Sequence, residues 1–237
     1  MPAVRARAEE EIVGPHFVER FASIDEERWR ISDGWANGSW TANDWRASQV
    51  SLIDDGVEIA LARQRGGQTP YTSGELQTAG VYRRGYFEAR LQAARGSGLV
   101  SGFFTYALPD ARGAWDEIDV EILGRDTTHV QFTIFHDGNR IAVTLPLGFD
   151  AAAGMHSYGF EWTPEHVRWY VDDVLRHQET GAALPRAPQR LIVHLWNSAT
   201  MTDWVGPILP WQAPWTLRVA CVAQADSYQG EALCAEK

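Results

Sequence analysis

The stretch Trp115-Asp116-Glu117-Ile118-Asp119-Val120-Glu121-Ile122 holds the residues best spaced for chemistry. Polar and apolar residues alternate there, the pattern of a half-buried β-strand. Side chains two apart in a strand point to one side. Trp115, Glu117, Asp119 and Glu121 therefore share one face, and Ile118, Val120 and Ile122 share the other. The apolar face suits a core. Three carboxyl groups in a row repel and raise one another's pKa values, which suits a solvated cleft in which acids react. Retaining glycoside hydrolysis uses two such groups roughly 5–5.5 Å apart: one attacks the sugar and the other protonates the leaving oxygen. Glu117 and Glu121 have Cα atoms about 13 Å apart on an ideal strand, a gap that glutamate side chains leaning inward largely close. Asp119, between them, can share a proton with the nucleophile and tune both acids. Trp115 is placed to stack on a sugar ring. The competing reading of the same residues is an acidic outward face or a calcium-binding edge.

The elements that must hold this strand read as short strands at turn-bounded intervals. They are Val57 to Ala62, Tyr86 to Ala93, Gly102 to Tyr106, His129 to Phe135, Tyr158 to Trp162, His166 to Val171, Val174 to Gln178, Leu191 to Trp196 and Trp215 to Val222. Alternation puts Phe104 with Tyr106, His194 with Trp196, and Leu217 with Val219 and Cys221. Asp172-Asp173 reads as a tight hairpin turn, Asp33 to Trp40 as a loop with an Asn-Gly turn, and Asp137 to Leu147 as a loop. No segment has a long helical period. The expected fold is all-β, two antiparallel sheets packed face to face. With 237 residues and no linker, charge block or repeat, one domain over 15–237 is expected after a flexible leader over 1–14.

Composition narrows the function classes. Eleven Trp, nine Phe and seven Tyr suit a groove that stacks on sugars as well as a core. A formal charge of −10 argues against nucleic acid or an anionic membrane as the partner. No apolar run approaches the ~20 residues of a membrane helix, and the N-terminus shows no signal-peptide pattern. The protein then either stays inside or is exported from a longer precursor. Cys221 and Cys234 allow a disulfide, worth about 3 kcal/mol for so short a loop, or two free thiols; the disulfide is preferred. The seven His show no zinc spacing.

Trp115-Asp116-Glu117-Ile118-Asp119-Val120-Glu121 closely resembles the signature of the family 16 glycoside hydrolases, which include bacterial lichenases (endo-β-1,3-1,4-glucanases) and laminarinases. The single residue between Asp119 and Glu121 is similar to the lichenase branch. The resemblance runs from Phe17 to Val222, through Ser73-Gly74-Glu75, Gly102-Phe103-Phe104-Thr105-Tyr106, Leu147-Gly148-Phe149-Asp150 and Thr202-Asp203-Trp204-Val205-Gly206. Succinoglycan-type exopolysaccharide depolymerases are similar too. The resemblance implies a jelly-roll sandwich with a concave cleft and a retaining mechanism. It makes Glu117 the nucleophile, Glu121 the acid/base and Asp119 the assisting acid. It also places Asn37, Glu75, Phe104, Tyr106, Trp115, Gln131, His194, Trp196 and Trp204 in the substrate groove. Departures stand at Thr133 and Phe135, where lichenases carry Asn and Tyr, at His194 for Asn, at Gln77 for Arg and at Asp44 for a bridged Cys. Ala220 replaces an Asp that helps hold a structural calcium, so no metal or cofactor is expected. The expected protein is a monomeric, secreted or periplasmic endo-β-glycanase acting on β-1,3-1,4-glucan or a bacterial exopolysaccharide. Its alternatives are a transglycosylase on the same site and a non-catalytic lectin.

Overall fold

The computed structural model describes residues 16–65, 67–209 and 212–235; the leader expected over 1–14 lies outside them. The strands, in chain order, are β1 (Phe17–Glu19), β2 (Trp29–Ile31), β3 (Asn43–Trp45), β4 (Val50–Ile53), β5 (Gly56–Arg63), β6 (Tyr71–Ser73), β7 (Glu75–Thr78), β8 (Gly85–Gln92) and β9 (Leu99–Tyr106). They continue with β10 (Glu117–Leu123), β11 (His129–His136), β12 (Asn139–Pro146), β13 (His156–Trp162), β14 (His166–Val171), β15 (Val174–Thr180), β16 (Arg190–Asn197) and β17 (Trp215–Ala225). One helical turn, α1 (Thr202–Val205), precedes the last strand.

Two sheets result. One runs β12-β11-β10-β9-β16-β7-β2; the other runs β15-β14-β13-β8-β17-β5-β6-β3, with β1 paired to β17 and β4 to β5. The expected all-β sandwich of two antiparallel sheets, with a jelly-roll architecture, is what the chain forms; only β3 and β6 pair in parallel among the described strands. Alternation explains the layering. Ile118, Val120 and Ile122 of β10 enter the core beside Phe103, Phe132, Ile134, Leu191 and Val193. The other sheet sends Phe87, Phe160, Trp169 and Leu217 to meet them. Phe103 lies 5.6 Å from Phe160, and Phe132 stacks on Trp169 at 5.4 Å. Each such side chain contributes about 1.5–3 kcal/mol by leaving water.

Three sequence expectations need correction. The segment read as a loop from Asp137 to Leu147 is mostly β12, an edge strand. Asp137 and Gly138 both take positive φ, as a two-residue hairpin turn requires, and Val143 and Leu145 pack on the core. The apolar face of β12 is only half-buried, so its pattern reads faintly. Trp115 lies two residues before β10, not within it. The ladder of β17 slips between Val219 and Cys221. That bulge turns Cys221 away from Leu217 and Val219, onto the outer face with Ala223 and Cys234.

Cys221 and Cys234 form the preferred disulfide. It fastens the C-terminal segment over Glu88 of β8, whose carboxyl accepts the N–H groups of Leu233 and Cys234 at 2.8 and 3.2 Å. Burial raises the pKa of Glu88, and these two bonds oppose the rise.

Candidate active site

The strands of the seven-stranded sheet lay their outward side chains in three rows, each centred on one acid of β10. In the first row, Arg190, Tyr106, Glu117, Phe135 and Arg140 face one another across β16, β9, β10, β11 and β12. The second runs Gln77, Ile192, Phe104, Asp119, Thr133 and Ala142. The third runs Glu75, His194, Gly102, Glu121, Gln131 and Thr144. The acids thus form the floor of a cleft of about 2290 Å³. Pockets for single small molecules enclose roughly 300–1,000 Å³, so this cleft has room for several linked units.

Trp115, although outside the strand, donates its indole N–H to Glu117 Oε2 at 2.7 Å. Its ring lies 5.4 Å from Phe135. Burial pushes the Glu117 carboxyl up to about 7, against the Trp115 and Asp119 hydrogen bonds that favour its ionised form. Asp119 is held well above the usual carboxylate range, first by burial and then by the charges of Glu117 and Glu121. A protonated Asp119 is the donor in its bond to Glu117. Burial and the Glu117 charge push Glu121 up to about 8, while Arg140 and Gln131 draw it down. Two hydrogen bonds, from Trp115 and Asp119, thus favour the ionised form of Glu117, and one, from Gln131, favours that of Glu121. Burial and the nearby Glu117 also raise Tyr106.

Gln131 is buried on the same face as Glu121. It stands behind Glu121, with Nε2 donating to Glu121 Oε2 and Thr133 Oγ1 at 3.2 Å each. Its Oε1 accepts the indole N–H of Trp204 at 3.0 Å. Trp204 in turn lies 5.9 Å from Trp196, and Trp196 lies 5.1 Å from Trp40. Together they make an aromatic wall on the cleft, with Trp40 and Trp35 exposed at its rim. His194 stacks on Trp45 at 5.4 Å and bonds Glu75 Oε2 through Nδ1 at 3.2 Å. Glu75 Oε1 accepts Ser32 Oγ at 2.7 Å, and Asn37 accepts the Trp45 N–H at 3.1 Å. The structure thus brings the twelve sequence-derived site residues to one face and its rim.

Other contributors escaped the sequence reading. Asp116, adjacent to the first acid, is buried and accepts the N–H groups of Arg186 and Ala187 at 2.6 and 2.7 Å and a bond from His136 at 2.6 Å. That holds the segment before β16 as a cleft wall. A charged residue on the apolar side of an alternating stretch was the available signal, because a buried carboxylate requires partners. Arg140 was hidden by the loop reading of β12; its guanidinium lies 5.9 Å from the Phe135 ring centre. At Asp44, a polar clasp to Arg46, Gln64 and Thr69 occupies the bridged-cysteine position. Among the described residues, no cluster of three His, Cys, Asp or Glu side chains suits a metal ion.

The model of a family described as "Glycosyl hydrolases family 16" matches residues 37–213. A Beta-glucanase of Acetivibrio thermocellus is 40% identical over 196 residues, which is 82% of this chain and 58% of that protein's length. The chain therefore spans under two thirds of that relative. A Beta-glucanase of Bacillus amyloliquefaciens is 39% identical over 194 residues, 81% of this chain and 80% of that protein. In three dimensions, the Bacillus licheniformis beta-glucanase superposes with a TM-score of 0.83 at 34% identity, covering 90% of this chain and 98% of the other. A prokaryotic beta-1,3-1,4-glucanase (lichenase) from a mouse hindgut metagenome gives 0.85 at 30% identity, over 90% of this chain and 100% of the other.

Proposed function

This chain belongs to glycosyl hydrolase family 16, and from that premise we propose that it is a retaining endo-β-glucanase with Glu117 as nucleophile and Glu121 as acid/base. One observation carries the assignment of roles: three buried carboxyl groups lie in one row on a cleft floor, with Trp115 donating to Glu117 and Gln131 donating to Glu121. Ionised Glu117, stabilised by Trp115 and by protonated Asp119, attacks the anomeric carbon. Glu121, still protonated near neutral pH, gives its proton to the leaving oxygen as the glycosyl–Glu117 ester forms. It then takes a proton from water, which attacks the ester and releases Glu117. The volume of the cleft and its aromatic wall suit a polymer bound across its middle. The relatives' names favour β-1,3-1,4-glucan as the polymer, while the altered neighbours Thr133, Phe135 and His194 leave room for a bacterial exopolysaccharide. A lectin on the same frame would gain nothing from burying three acids at this cost in desolvation.

The steps use carboxyl groups alone, so the reading includes no cofactor, and with Ala220 in place of a calcium-holding Asp it includes no structural calcium; chelator treatment should leave both activity and thermal midpoint unchanged. The Cys221–Cys234 disulfide favours an oxidising compartment, and with a polymeric substrate supports a secreted or periplasmic monomer. Nucleic acid and membrane are not among its proposed partners.

The test is reducing-sugar release from mixed-linkage β-glucan. Glu117→Gln and Glu121→Gln should each fall by a factor on the order of 10³ or more while remaining folded, as expected when a chemical step loses its acid or nucleophile. Azide should restore turnover in small-side-chain variants at these two positions, with opposite product anomers. Wild-type rates in either variant reject the roles. Chain-lengthened products would instead indicate transfer to sugar.

A further inference from the structure

Trp169 lies on β14, in the sheet opposite the acids, and is 1% exposed. Its indole crosses the core and donates its N–H to the main-chain carbonyl of Asp119 at 3.1 Å. β10 is an interior strand, paired with β9 on one side and β11 on the other. A donor reaching one of its carbonyls from the core side is therefore additional to the sheet's own ladder.

Two further features aim this side chain. The β14–β15 ladder slips between Trp169 and Tyr170, and bulges of this kind redirect a side chain and sharpen local twist. The indole also stacks on Phe132 at 5.4 Å and 17°, and Phe132 pairs with Val120, the neighbour of Asp119. Other buried tryptophans end elsewhere: Trp162 donates to the Pro185 carbonyl, and the indole nitrogens of Trp29 and Trp215 have no hydrogen-bond partner.

We propose that Trp169 is a positioning residue for the glycosidase reaction: its N–H, held by the far sheet, fixes the path of β10 at Asp119 and so sets how closely the Glu117 and Glu121 carboxyl groups converge. The inference rests on those two glutamates being the catalytic pair. A straight strand would separate their Cα atoms by about 13 Å, whereas a retaining pair works with carboxyls roughly 5–5.5 Å apart. The local course of the strand thus matters to the rate.

Trp169→Phe keeps a ring on Phe132 and removes the donor. Trp215→Phe removes the same atoms from a core tryptophan that donates to nothing, and serves as the control. Thermal midpoints are measured first, and kinetics are then run where both variants are fully folded. The expected result for Trp169→Phe is a kcat about 10- to 100-fold lower, the size of loss that a small misplacement of reacting groups produces, with KM little changed. Trp215→Phe should keep the wild-type kcat. The alkaline limb of kcat/KM should also move to lower pH in Trp169→Phe, because a more distant Glu117 charge raises Glu121 less. The other groups around Glu121 are Asp119 on β10, Gln131 on β11, Arg140 on β12, His194 on β16 and Glu75 on β7. All are unchanged in the variant.

If Trp169→Phe does not fold, benzothienylalanine at position 169 supplies the same shape with sulfur in place of N–H, and the same outcomes apply. A wild-type kcat and pH profile at position 169, or an equal loss in Trp215→Phe, overturns the proposal. Full activity in Glu117→Gln or Glu121→Gln overturns the catalytic reading instead, so the two failures are distinguishable.

Discussion

Under the proposed roles Glu121 must hold its proton near neutral pH, and burial on this cleft floor raises its pKa in that direction. With Glu117 titrating at about 7 and Glu121 at about 8, kcat/KM should rise with pH as Glu117 ionises and fall as Glu121 loses its proton, giving a narrow bell near neutrality. A rate still climbing well above pH 9 would contradict an essential acid raised only to about 8. Gln131 tunes the alkaline side by donating to Glu121. Gln131→Met keeps most of the volume and removes that bond, so the alkaline limb should move to higher pH; a shift the other way would show that the bond does not favour the carboxylate. At this scale the sequence was legible where residue type and period coincide. Glu117, Asp119 and Glu121 were separable from the core by alternation alone. Asp116 was not, because its role depends on N–H groups of Arg186 and Ala187 supplied from 70 residues away.

Between strands, the arrangement depends on one position without a side chain. Gly102 lies between His194 and Glu121 in the third row. A Cβ there would come within 2.6 Å of His194 Nε2, and that ring is held between Trp45 and Phe104. Gly102→Ala should therefore displace His194 or β9 itself. The expected loss is about 1–3 kcal/mol of stability, typical of overpacking, together with a drop in kcat/KM on β-glucan. Denaturant melts and steady-state kinetics would check both, and an unchanged kcat/KM would show the row to be slack. Strands with one clean apolar face, such as β8, β11 and β16, were legible from period. The edge strand β12 was not, since its inner face is only half-buried, nor was the β17 bulge, which local pattern does not announce and which moved Cys221 to the other face. The three- and four-residue strands β1 to β4, β6 and β7 are too short to show a period.

For the molecule as a whole, the buried acids of the cleft floor weaken the fold. Glu121 has an ordinary pKa of 4.5 and about 8 in the folded protein. Above pH 4.5 the unfolded chain releases this proton while the folded chain keeps it, so the native state binds more protons and stability falls as pH rises toward 8. Glu117 acts in the same direction up to about 7. The thermal midpoint should thus peak on the acid side of the activity optimum. Glu121→Gln should match wild type near pH 4 and exceed it at pH 8; calorimetry finding the variant less stable at pH 8 would refute the argument. The opposite side of the sandwich offers a practical consequence. Because the Cys221–Cys234 bridge and the Glu88 carboxyl clasp the last described residues to the back of the larger sheet, a support coupled to that end would hold the protein by its reverse side. The mouth of the cleft would then stay turned toward incoming polymer, and immobilised protein should retain access to long chains that coupling through the cleft rim would exclude.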